Sequence, residues 1–84
     1  MEKEKDVVLS IHLSEDDTST VAMAVLDLRG DHFEATGTSR RNPIDPPKPL
    51  IGEELAIARA LRQLEDQITE AAREKIDLLL IHEV

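Results

Sequence analysis

Three segments in the first half of the chain alternate apolar and polar residues with a period of two, which is the pattern of half-buried β-strands. The segments cover about residues 7–13, 20–28 and 33–39. Only a short turn containing Gly30 separates the second from the third, and this spacing predicts an antiparallel hairpin. The sequence therefore predicts that these strands form one sheet.

The predicted faces of these strands differ in character. The first strand has one apolar face, formed by Val7, Leu9, Ile11 and Leu13. The second is apolar on both faces, with Ala22, Ala24, Leu26 and Leu28 on one and Val21, Met23 and Val25 on the other. The third presents small residues, including Ala35 and Gly37. We expect a floor of small side chains on which a helix with large apolar residues lies closely.

The second half of the chain predicts a loop followed by one long helix. Residues 40–51 form the predicted loop, stiffened by four prolines within 43–49. The helix is expected after Pro49 and to span about 53–75, with Gly52 as N-cap and Glu53 and Glu54 in its first turn. Its apolar stripe is Ile57, Leu61, Leu64, Ile68 and Ala72, widened by Leu55, Ala58 and Ala71.

The segment 76–84 is ambiguous between a continuation of the helix and a separate closing element, because a short apolar run fits either. With that segment left open, the chain is predicted to be one α+β domain over 1–84. Its architecture is a three-stranded antiparallel sheet followed by one long helix, in the order βββα. A chain of 84 residues buries only about 60% of the surface that its unfolded form exposes, so we expect further burial by oligomerisation.

The composition argues against several classes of function. The net charge of −8 argues against generic binding to nucleic acid or anionic lipid, which depends on basic patches. No cysteine is present, so a disulfide framework and a thiolate zinc site are excluded. The longest apolar run, 78–81, is far shorter than a membrane span, and the N-terminus has no apolar signal region. We expect a cytoplasmic protein.

The loop 40–51 is the one net-positive segment, with three basic residues and one acidic residue. Arg40, Arg41 and Lys48 flank the predicted start of the helix, whose free N–H groups favour anions. These three residues are the candidate contact for an anion or for RNA. The alternative is an ordinary solvated loop, since Glu53 and Glu54 would repel an anion there.

No catalytic or metal-binding signature is present. His12, His32 and His82 fall on three different predicted elements without metal-ligand spacing. We therefore predict that the protein is not an enzyme and holds no metal or cofactor.

The more informative surface is the second face of the second strand, because one helix covers only one side of a sheet. Val21, Met23 and Val25 are predicted to form an interface, either with a second copy of the chain or with its own C-terminal tail.

The stretch 40–64, RRNPIDPPKPLIGEELAIARALRQL, resembles an actinobacterial family of small domains of unknown function that includes mycobacterial dormancy-associated proteins. The resembling residues include Asn42, Pro43, Gly52, Glu54, Leu55, Ala58, Arg59, Ala60 and Leu61. The resemblance implies a βββα fold like part of a double-stranded-RNA-binding domain, a dimer, and a similarity in shape to ribosome hibernation factors.

Together these observations lead to two functional hypotheses. The first is a small, non-enzymatic, dimeric interaction protein with a role linked to stress or dormancy. The second is an accessory factor for ribosomes or structured RNA that binds through the basic loop.

Overall fold

The computed structural model describes residues 2–42 and 48–82, with side chains as far as Leu80. It contains strands β1 (Leu9–Glu15), β2 (Ser19–Leu28) and β3 (Asp31–Arg40), followed by helix α1 (Pro49–His82). The strands form an antiparallel sheet in the order β1-β2-β3. The predicted α+β fold of three strands and one long helix is therefore confirmed. Most of the predicted proline loop lies outside the described residues.

The turn between β2 and β3 is tighter than the sequence indicated. Arg29 and Gly30 both have positive φ, at 48° and 87°, and Leu28 pairs directly with Asp31. This is the two-residue turn whose twist matches that of the flanking strands. Strand β3 therefore begins two residues before the predicted Phe33.

The turn between β1 and β2 is held by one aspartate. Asp16 Oδ1 accepts hydrogen bonds from the backbone N–H groups of Thr18 and Ser19, both at 2.8 Å. Because this turn is compact, pairing continues to Glu15, which lies opposite Thr20. Strand β1 therefore lies at Leu9–Glu15 rather than at the predicted 7–13.

The helix begins at Pro49, earlier than predicted. The Lys48 carbonyl accepts a hydrogen bond from the Ile51 N–H at 3.1 Å, so Lys48 precedes the first turn and Gly52 is not the N-cap. Proline is favourable at the first helical position because its φ is helical and its missing N–H would have no partner. Consequently the first turn contains no acidic residue, and Glu53 and Glu54 follow it.

The helix is continuous to His82, which decides between the alternatives left open for the segment after residue 75. Its 34 residues span about 51 Å, whereas a ten-residue strand spans about 33 Å. The long axis of the molecule measures 60 Å, so the last turns project past the sheet. No helix in the described ranges is long and apolar enough to cross a membrane.

The contact between helix and sheet is made by small residues on both sides. The buried apolar residues are Ala22, Ala24, Phe33, Ala35, Ala56, Ala60 and Leu64. The predicted floor of small sheet residues is present, but the helix also presents alanines at its centre. Of the predicted stripe, Leu64 is buried in this centre, and Ile57, Leu61 and Ile68 lie beside it and are only partly buried. Ala72, the last residue of the stripe, is exposed, and Leu55 is 43% exposed.

Gly37 is where the helix backbone comes closest to the sheet. A Cβ atom on Gly37 would overlap the Ala56 carbonyl oxygen and the Ala60 backbone nitrogen, and would lie 2.9 Å from the Arg59 carbonyl carbon. All three atoms belong to helix backbone, which cannot rotate away as a side chain can. Any side chain at Gly37 therefore forces the helix off the sheet.

We expect Gly37→Ala to destabilise the fold by roughly 3 kcal/mol, because overpacking against backbone displaces the whole helix. Urea unfolding followed by circular dichroism measures this change. Gly30→Asn is the comparison variant, since nothing lies within 4 Å of a Cβ atom there and asparagine tolerates positive φ better than most residues, so we expect a smaller loss of stability. Equal stability of Gly37→Ala and the wild type would contradict the close contact.

Candidate functional site

The three basic residues singled out in the sequence lie together at one end of the molecule. Strand β3 ends at Arg40 where helix α1 begins, and the Arg41 N–H donates to the Thr18 carbonyl at 2.8 Å. Arg40, Arg41 and Lys48 all line one open groove of about 430 Å³. The fold thus brings the predicted basic residues to a common surface beside the helix N-terminus.

Acidic residues line the same groove and offset this charge. Glu15, Asp16 and Asp17, from the end of β1 and the following turn, line it together with the three basic residues. The hydrogen bonds from Thr18 and Ser19 lower the pKa of Asp16 below its usual 3.8, so this carboxylate stays ionised at neutral pH. The groove is therefore of mixed charge and not a basic patch.

The floor of the groove contains two buried hydroxyl residues that sequence reasoning did not single out. Thr20 and Ser39 lie opposite each other on β2 and β3 and are 7% and 6% exposed. Thr20 Oγ1 donates to Glu15 Oε1 at 3.3 Å, and a Cβ atom on Gly52 would lie 3.1 Å from Thr20 Oγ1. Gly52 thus lets the first helical turn lie directly on these hydroxyls.

The outer face of the sheet, on the side away from the helix, has an apolar row along its middle strand. Val21 and Val25 are half-buried and Met23 is 42% exposed. The neighbouring positions are polar: His12 and Thr36 flank Met23 on β1 and β3. Of the two explanations offered for this row, docking of the C-terminal tail is wrong as far as Leu80, because the tail continues helix α1 on the opposite face.

A second uncovered apolar surface lies on the inner face of β1, on the same side of the sheet as the helix. The helix packs over β2 and β3, and β1 lies beside it. Leu9 and Ile11 are consequently 41% and 38% exposed, although the alternation in the sequence predicted a buried face. The sequence contained no signal for this, because the position of a helix across a sheet depends on tertiary packing.

The projecting end of the helix is a third apolar surface. Ile76, Leu78, Leu79 and Leu80 are between 56% and 63% exposed. Lys75 Nζ bonds Asp31 Oδ2 at 2.7 Å and is the last described contact between the helix and the sheet. Beyond it the helix is apolar on several sides, which is typical of a helix that packs against a partner.

The described residues contain no group of histidine and acidic side chains that could hold a metal ion. His12 lies on the outer face of β1, and the side chain of His82 is outside the described residues. His32 is half exposed and contacts Asp27 at 2.5 Å and Glu34 at 3.3 Å. His12 and His32 thus lie on different strands.

Comparison with known proteins places this architecture among uncharacterised mycobacterial proteins. A family model described as Rv2632c-like matches residues 5–83. The uncharacterized proteins Mb2665c of Mycobacterium bovis and Rv2632c of Mycobacterium tuberculosis are each 39% identical over 64 residues, covering 76% of this chain and 69% of each relative. The crystal structure of Rv2632c superposes with a TM-score of 0.85 at 34% identity, covering 92% of both chains.

The contacts of His32 lead to a pH-dependent prediction. Hydrogen bonds to Asp27 and then to Glu34 raise the pKa of His32 above its ordinary 6.5. A raised pKa means that the folded state binds the proton more tightly than the unfolded state. Protonated His32 therefore stabilises the folded state fully below pH 6.5, and this stabilisation is lost as the pH rises through the pKa that His32 has in the folded protein.

We expect an NMR titration of the His32 ring to give a pKa above 6.5, and Asp27→Asn to lower it. Asp17→Asn is the control, because Asp17 lies in the turn at the other end of β2 and should leave the titration unchanged. A His32 pKa at or below 6.5 in the wild type would contradict the observed contacts.

Proposed function

The chain belongs to the Rv2632c-like family, and from that premise we propose that it is a small, non-enzymatic interaction protein that acts as a homodimer. We propose a role in assembly and not in chemistry, and the described residues contain no group of metal ligands. The apolar surface of the protein supports this role.

One observation carries this proposal: the core of the single chain consists mainly of small side chains, and many of its large apolar side chains are exposed to solvent. Five of the seven buried apolar residues are alanines, and no large side chain in the described ranges is fully buried. Outside this core lie exposed leucines, isoleucines and valines on β1, on the residues before it and on the helix end.

A partner would supply the burial that the chain lacks. Chains of this length bury a modest share of their surface, and exposed apolar patches of this kind mark interaction sites. A second copy is the simplest partner, since one self-complementary surface closes a dimer around a two-fold axis. We place this assembly in the cytoplasm, and a role in stress or dormancy rests on the family resemblance alone.

The first test is the oligomeric state. We expect light scattering to give twice the chain mass at high micromolar concentration, and the unfolding temperature to rise with protein concentration because folding and association are coupled. Dilution should return the mass toward that of one chain. A single-chain mass throughout, with an unfolding temperature independent of concentration, would contradict the homodimer.

A second candidate function is contact with structured RNA or the ribosome, favoured by the groove that gathers Arg40, Arg41 and Lys48. Phosphates would lie against these side chains and the start of the helix. The acidic residues that line the same groove and the net charge of −8 weaken such binding, so it would require low salt.

We expect co-sedimentation with ribosomes at low salt if this second function holds, and its loss when Arg40, Arg41 and Lys48 are all replaced by glutamine. The matched control replaces Lys3, Arg62 and Arg73 by glutamine, which removes the same number of charges from exposed positions outside the groove, and it should bind as the wild type does. Absence of binding at low salt, or equal binding by the triple variant, would rule out this contact.

A further inference from the structure

Helix α1 contacts the two edge strands of the sheet to different extents. At the β3 edge, Arg59 Nη1 donates to the Thr38 carbonyl and Gln67 Nε2 donates to the Glu34 carbonyl, each at 2.7 Å. Helix side chains thus bind two backbone carbonyls of β3 to which the N–H groups of another strand would otherwise donate. Lys75 also bonds to β3, at Asp31, whereas β1, the other edge, lies beside the helix and not under it.

Strand β1 also lacks the features that keep edge strands from pairing. Its sequence, LSIHLSE, contains no lysine and no proline, and all seven residues pair with β2 without a bulge. Natural proteins protect exposed edges with charges, prolines, bulges or a covering element. The edge of β1 is therefore a regular, unprotected template for a further strand.

The apolar alternation extends beyond the part of β1 that pairs with β2. Pairing begins at Leu9, but Val7 and Val8 continue the pattern and are 47% and 75% exposed. Val7, Leu9, Ile11 and Leu13 form one inner row whose midpoint is Ser10. A row that is symmetric about its midpoint can pair with a second copy of itself.

We propose that two copies of this protein pair antiparallel through their β1 edges, about a two-fold axis at Ser10, and form one six-stranded sheet. The inference rests on the proposed homodimer and specifies its surface. Both helices then lie on the same face, which requires inner residues to oppose inner residues. In this register Val7 lies opposite Leu13 of the partner subunit, and Leu9 lies opposite Ile11 of the partner subunit.

Other antiparallel registers that also place inner residues opposite inner residues are less favourable. An axis at His12 places Leu9 opposite the partner subunit's Glu15. An axis at Ile11 places Val7 opposite the partner subunit's Glu15. An axis at Ser10 instead places Lys5 opposite the partner subunit's Glu15. With the axis at Ser10, every residue of the inner row lies opposite another apolar residue of that row, and Glu15 lies opposite a lysine, so this register is favoured.

A second copy is also the occupant that the charge distribution favours. The chain has a net charge of −8, so most of its surface repels another copy. The stretch 7–14, VVLSIHLS, contains no acidic residue and only His12 as a titratable group. Two copies can therefore approach along this edge without opposing carboxylates.

Cysteine cross-linking tests the register. The chain contains no cysteine, so only the introduced residue can form a disulfide. With the axis at Ser10, the two Ser10→Cys side chains face each other at about 5 Å between Cβ atoms. We expect oxidation to yield the covalent dimer at least tenfold faster than for Ser14→Cys. Ser14 lies on the same strand and face, but its two copies would be about 27 Å apart.

An independent variant tests the surface without covalent chemistry. Leu9→Lys places a charge in the shared inner row and should weaken dimerisation at least tenfold, measured by sedimentation equilibrium. Met23→Lys, on the outer face, is the control and should dimerise as the wild type does. Circular dichroism establishes that each variant is folded, which both substitutions at exposed positions should permit.

The outcomes separate this inference from the proposed function. A dimeric wild type with equal cross-linking of both cysteine variants and an intact Leu9→Lys dimer overturns the edge assembly and leaves the homodimer standing. Dissociation by Met23→Lys instead would move the interface to the outer face. A wild type that stays monomeric overturns both.

Discussion

The rest of the structure depends on the close approach of the helix backbone to the sheet at Gly37. Because this residue has no side chain, Ala56 and Ala60 can lie directly over β3, opposite the small residues of β2. The short distance allows Arg59 and Gln67 to reach the carbonyls at the β3 edge. One small contact therefore sets the height of the helix and, with it, which sheet edge is covered.

The same contact explains why so much apolar surface is left over. A helix that lies on alanines and glycine buries little area per residue, and its position over β2 and β3 leaves β1 beside it. The larger apolar side chains lie at the margins of the contact or beyond the sheet. Stability and assembly are thus linked, because a chain with a thin core gains most from burial against a partner.

The groove at the start of the helix illustrates how topology assembles charges that are distant in sequence. The turn after β1 brings its acidic residues to the end of the sheet where β3 stops and α1 begins, so they line the same groove as Arg40, Arg41 and Lys48. Counting charges along the loop alone indicates a positive segment. In three dimensions the opposing carboxylates offset it, and the groove is mixed.

The sequence by itself determined the order of elements, the hairpin and the small-residue floor, because alternation and turn residues act between near neighbours. It also predicted the uncovered row at Met23, since one helix covers one face. It misplaced the start of the helix, where proline is compatible with the first turn, and it missed Ala56 and Ala60 as the contact. Only the tertiary structure decided which strands the helix covers and which edge stays open. Those features depend on how closely two backbones approach, and that distance is set by residues far apart in the chain, such as Gly37 and Ala60.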